Sequence, residues 1–83
     1  MPLFIDIHRH IPGLTKEAVE GAHQKDVAAQ DEHDVKYLKY WFNEETGAVV
    51  CLVEAPTSEA AIRVHQEAHG LLADEIMEVK EGA

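Results

Sequence analysis

The run Ala48-Val49-Val50-Cys51-Leu52-Val53-Glu54 is apolar up to its last residue. Set between Gly47 and Pro56, it reads as a strand covered on both faces, and so as a central one. Just upstream, Asn43-Glu44-Glu45-Thr46-Gly47 has the length and the terminal glycine of a hairpin loop. Before that loop, Val35 to Phe42 is rich in aromatic and β-branched residues. The two runs pair antiparallel, which constrains everything else. Alternation puts Tyr37, Lys39 and Trp41 on one face of the earlier strand and Leu38, Tyr40 and Phe42 on the other. In the later strand, Cys51 shares a face with Val49 and Val53.

Two helical segments flank this hairpin. Thr15 is placed as an N-cap, and a helix is expected from about Lys16 to Ala29 or Gln30 with an alanine stripe at Ala18, Ala22 and Ala29. Thr57 or Ser58 caps a second helix from about Glu59 to His69, which Gly70 ends as a C′ residue. Its apolar stripe is Ala61, Val64, Ala68 and Leu71. A first strand covers Met1 to Ile7, stopped by Ile11-Pro12-Gly13, and a last one covers Ile76 to Lys80.

The order β-α-β-β-α-β over residues 1–83 implies one α+β domain. The expected architecture is a ferredoxin-like βαββαβ sandwich, a four-stranded antiparallel sheet with both helices on one face. The other face would be bare and would carry Phe4, with Trp41 or Tyr37. An exposed aromatic sheet face in so small a chain points to a homodimer through the open faces.

The chemistry concentrates near the amino end, in Asp6-Ile7-His8-Arg9-His10. Alternation sends Asp6, His8 and His10 to one side of the strand, where a carboxylate and imidazoles suit a divalent metal. If that side is the bare face, a dimer would bury Asp6, which then needs a cation or donors. His65 and His69 stand at i and i+4 on one helical face, the spacing that lets two imidazoles hold one ion. The topology gathers the ends of the first strand and second helix with Asp74 and Glu75 at one end of the domain. Asp6, His8, His10, His65 and His69 are therefore the expected metal ligands. His33 is expected at the opposite end, and His23 with Asp26 on a solvated helix face. Cys51 reads either as a small hydrophobe or as an additional ligand. Imidazole favours Ni2+, Cu2+ or Zn2+, and the carboxylate keeps Co2+ or Mn2+ in play.

Composition narrows the partners. Sixteen acidic against seven basic residues give a net charge of −9, which repels phosphate backbones and draws cations. Nucleic acid is not an expected partner. Cys51 is the single cysteine, so no internal disulfide forms. With no span long enough for a bilayer and no signal-peptide pattern, a cytoplasmic protein without membrane contact is expected.

Four segments resemble the small actinobacterial nickel-binding proteins of a ferredoxin-like family. They are Pro2 to Leu14, Lys39-Tyr40-Trp41-Phe42, Val50-Cys51-Leu52-Val53-Glu54-Ala55-Pro56 and Val64-His65-Gln66-Glu67-Ala68-His69-Gly70. The resemblance implies a homodimeric sandwich that binds nickel, with a role in nickel sequestration, buffering or delivery. The rival expectation is a small-molecule enzyme of the dimeric ferredoxin-like type using histidine as acid and base. A pocket lined by Tyr37, Trp41 and one lone histidine would favour that rival.

Overall fold

The computed structural model describes residues 1–82. The elements run β1 (Leu3–His8), α1 (Lys16–Ala29), a 3-10 turn (Gln30–His33), β2 (Lys36–Asn43), β3 (Ala48–Glu54), α2 (Ser58–Ala68) and β4 (Glu75–Val79). The strands form one sheet in the order β2-β3-β1-β4, every neighbouring pair antiparallel. This is the expected ferredoxin-like α+β layout.

Local chemistry sets the element boundaries. Thr15 Oγ1 accepts from the Ala18 amide at 3.1 Å and Thr57 Oγ1 from the Ala60 amide at 3.2 Å, satisfying donors that each first helical turn leaves free. The Gly70 amide closes α2 by donating to the His65 carbonyl at 2.8 Å, with Gly70 at φ +78. The hairpin needs Gly47 for two reasons. Its φ is +81, and a Cβ there would sit 2.9 Å from His10 Nδ1 and from the Ile11 carbonyl oxygen. The Ile11 amide donates to the Gly47 carbonyl at 2.8 Å, so the hairpin loop is docked on the exit of β1.

Phe4, Val19, Val35, Tyr37, Val49, Cys51, Val53, Ala61 and Val64 belong to the core between sheet and helices. Facing this core from β1 are Phe4, Asp6 and His8, while Leu3, Ile5 and Ile7 are half-buried on the open face. The expected composition of the bare face is therefore corrected: it carries neither Phe4 nor Tyr37. Register instead puts Trp41 opposite Val50, Ile5 opposite Leu52 and Met77, and Ile7 opposite Val50 on that open face. A second correction concerns β2. A register shift between Tyr37 and Lys39 makes Leu38 an extra residue. Such a bulge resets the alternation, so Tyr37 and Tyr40 pair with Val53 and Cys51 on the helix side, and Lys39 and Trp41 turn outward.

Candidate metal centre

Beneath the helices lies a polar knot in an otherwise apolar core. Asp6, His8, Asp26 and His65 are its buried polar residues. Asp6 and His8 come from β1. Cys51 comes from β3, directly opposite Asp6 in the ladder. His65 projects from α2, and Asp26 from the last turn of α1.

His65 is the centre. Its Nε2 lies 2.9 Å from Asp6 Oδ2 and its Nδ1 lies 2.9 Å from Asp26 Oδ1. A carboxylate only accepts, so both ring nitrogens donate and the ring is an imidazolium. Burial alone would lower the His65 pKa, but the hydrogen bonds to Asp26 and Asp6 and their charge outweigh it and raise the pKa to about 9. The Tyr37 ring stacks on His65 with centroids 4.6 Å apart. Its hydroxyl donates to the Ala61 carbonyl at 2.9 Å.

Asp26 Oδ1 also accepts from His69 Nε2 at 3.0 Å, while His69 Nδ1 accepts from the Leu71 amide. Burial opposes ionisation of Asp26, yet the hydrogen bonds from His65 and His69 hold its pKa below the ordinary value. His8 shifts the other way. Burial lowers its pKa, and the His65 and His69 charges add to that against the pull of Asp6, leaving a neutral imidazole. Burial, reinforced by the Asp6 charge, pushes the Cys51 thiol strongly upward and keeps it protonated.

One atom remains without a partner. Asp6 Oδ1 is the buried side-chain oxygen or nitrogen that makes no hydrogen bond among the described residues. His8 Nε2 stands 3.5 Å from it. Asp6, His8, Cys51 and His65 each offer a ligand atom, all within 4.8 Å of one another. Two donors on one ion with bonds of about 2.1 Å stand about 3.0 Å apart at right angles and about 3.4 Å apart tetrahedrally. His65 Nε2 lies 2.9 Å from Asp6 Oδ2 and His8 Nε2 3.5 Å from Asp6 Oδ1, so the two imidazoles approach different oxygens of the one carboxylate. Carboxylate, imidazole and thiol form a donor set for Ni2+, Zn2+ or Co2+. An apolar cavity of about 60 Å³ abuts the cluster, lined in part by Leu14, Val19, Tyr40 and Val49.

Of the residues expected from sequence, the fold brings Asp6, His8 and His65 together. His69 reaches the group through Asp26 as a second partner of that carboxylate. His10 lies apart: β1 ends at His8, and His10 Nδ1 donates to the Thr46 carbonyl at 2.9 Å. Once the Arg9 amide turns to Asp74 at 2.7 Å, alternation no longer governs the chain. Asp26 is buried rather than solvated, because α2 brings two imidazoles against it. His33 lies in the 3-10 turn that leads into β2, where Lys36 pairs with Glu54, and its Nε2 reaches Glu67 of α2 at 2.9 Å.

The "Nickel responsive protein SCO4226-like" family model matches residues 4–79. The chain belongs to the SCO4226-like family. No curated protein matches it. The crystal structure of SCO4226 from Streptomyces coelicolor A3(2) is 40% identical to it, with a TM-score of 0.90, covering 98% of this chain and 99% of that one. This SCO4226-like chain carries no helix long and apolar enough to cross a membrane among its described residues.

Proposed function

We propose that the protein binds a divalent transition metal, nickel foremost, through Asp6, His8, Cys51 and His65. The observation that supports this is Asp6 Oδ1, a buried carboxylate oxygen with no hydrogen bond and with imidazole and thiol donors in reach. Leaving a charged acceptor unsatisfied in an interior costs on the order of 1–3 kcal/mol or more, which a cation would offset. Without metal, the His65 imidazolium is the positive charge between Asp6 and Asp26. To act as ligands, His65 must give up a proton and Cys51 its thiol proton, so binding releases protons and tightens as pH rises. Asp26 and His69 orient His65 from behind, as outer partners of metal-bound imidazoles do.

A buried site exchanges its ion slowly, which suits sequestration or buffering more than rapid delivery. The thiol ligand requires a reducing compartment and hence a cytoplasmic location. The open face with Ile5, Ile7, Trp41, Val50, Leu52 and Met77 supports a homodimer formed by two such faces. The test is calorimetric titration of Ni2+ into untagged protein and into Asp6→Asn and His8→Ala. The reading expects at least a tenfold loss of affinity in each variant, and buffer-dependent heats that report proton release. Affinities equal to wild type would overturn it.

A further inference from the structure

The alanine stripe of α1 does not close against the sheet. α1 packs along β2 and α2. Ala18 and Ala22 instead form one wall of the half-open cavity of about 60 Å³, with Leu14, Val49 and Leu71 among the residues around it. Interiors are normally filled to near crystal density, so a hollow beside two one-carbon side chains follows directly from their size. It lies on the helix side of the sheet. A dimer made through the opposite face, with Ile5, Trp41 and Met77, leaves it uncovered.

Size, wall and charge together define what fits. One water needs about 10–15 Å³ of such space, so the hollow takes a few waters or one small flat ring. Water finds few partners against these apolar walls, and an apolar occupant displaces it favourably. His23 and Tyr40 line the hollow with ring centroids 4.9 Å apart, a tilted aromatic pair against which another ring packs well. His8, 5% exposed, supplies the polar end. Its Nε2 stands 3.5 Å from Asp6 Oδ1, and the ring has no closer polar partner among the described residues. Asp6 only accepts, so the hydrogen of the neutral ring sits on Nε2 and Nδ1 keeps its lone pair. A hydroxyl donor would satisfy it. Anions are disfavoured by the net charge of −9. An ammonium would lose its hydration among apolar side chains, and Asp26, the carboxylate in the wall, is already held by His65 and His69.

We propose that this cavity is a binding site for an uncharged single-ring phenol, the ring lying among Ala22, His23 and Tyr40 and the hydroxyl donating to His8. The site stands on the cavity and does not require the metal. It shares His8 with the proposed metal cluster, so the two are tested separately.

The test is titration of phenol into the intact, metal-free chain in chelator, followed by the backbone amide signals in NMR. Phenol should shift the amides of Ala22, His23, Val49 and Leu71 with a Kd on the order of 1 mM, in keeping with a ligand of so few atoms. Benzene, which lacks the hydroxyl, should bind about tenfold more weakly. Benzoate, of similar size but charged, should leave those signals unmoved. Ala22→Leu and Ala18→Leu each fill the hollow from the helix side and should abolish the phenol response without lowering Tm; two variants guard against one that folds poorly. Undiminished phenol binding in the filled variants would overturn the proposal. So would benzoate binding as tightly as phenol, or shifts centred on Trp41, Leu52 and Met77, which would move the ligand to the open face. Nickel titration of the same protein keeps the two readings apart. An absent phenol response with nickel affinity intact removes this site alone, and a phenol response without nickel binding removes the metal reading alone.

Discussion

Removing the positive charge at the centre of the knot tests the electrostatics most sharply. His65 is raised from 6.5 to about 9 by Asp26 and Asp6 against the cost of its burial. A folded pKa above the unfolded one means stability is fully present below pH 6.5 and is lost as pH climbs to about 9. At about 1.36 kcal/mol per decade the loss amounts to roughly 3 kcal/mol. For a domain of this size that corresponds to a fall in Tm of roughly 12–24 °C. His8 has the opposite sign: its depressed pKa makes stability fall as pH drops below 6.5. Metal-free protein should therefore be most stable near pH 6.5. Above pH 9 the raised Cys51 thiol adds a further alkaline loss. His65→Gln strands two buried carboxylates and should cost about 3–5 kcal/mol at pH 6.5. It should also abolish the slope between pH 6.5 and 9. The assay is urea unfolding in chelator at closely spaced pH values. A flat wild-type profile over that interval, or an unchanged slope in His65→Gln, would refute the reasoning.

Other perturbations probe separate parts of the molecule. Gly47→Ala places a methyl group 2.9 Å from His10 Nδ1 and the Ile11 carbonyl at φ +81, and should cost roughly 1–3 kcal/mol in a thermal melt. Thr57→Ala removes the acceptor for the Ala60 amide and should lower unfolding free energy by about 1 kcal/mol, measured with urea. Trp41→Glu on the open face should shift light-scattering mass from dimer to monomer while leaving the circular dichroism spectrum intact; an unchanged mass would remove the face from the dimer interface. Nickel affinity should weaken steadily from pH 8 to pH 6, since His65 and Cys51 must lose protons to bind, and a pH-independent Kd would exclude them as ligands.

Much of the architecture follows from short-range chemistry that any sequence displays. Thr15, Thr57 and Gly70 end the helices where local hydrogen bonds require it, and the Asn43–Gly47 loop dictates the antiparallel pair. His65 and Asp6 stand out because charged or titratable groups amid apolar neighbours demand partners. Which face of β1 lies under the helices was beyond reach. Both Phe4-Asp6-His8 and Leu3-Ile5-Ile7 satisfy a period of two, and only the imidazole of His65 arriving from α2 makes the polar stripe tolerable inside. The bulge at Leu38 moved Tyr37 to the face opposite Lys39 and Trp41 because alternation carries no mark of an inserted residue. Asp26 and Cys51 join the knot through contacts 39 residues apart in one case and a cross-strand register in the other. Side-chain pairing at such separations is fixed by how helices pack on the sheet, so the amino-acid order set the elements and their ends, and packing alone chose the inner face and the companions of His65.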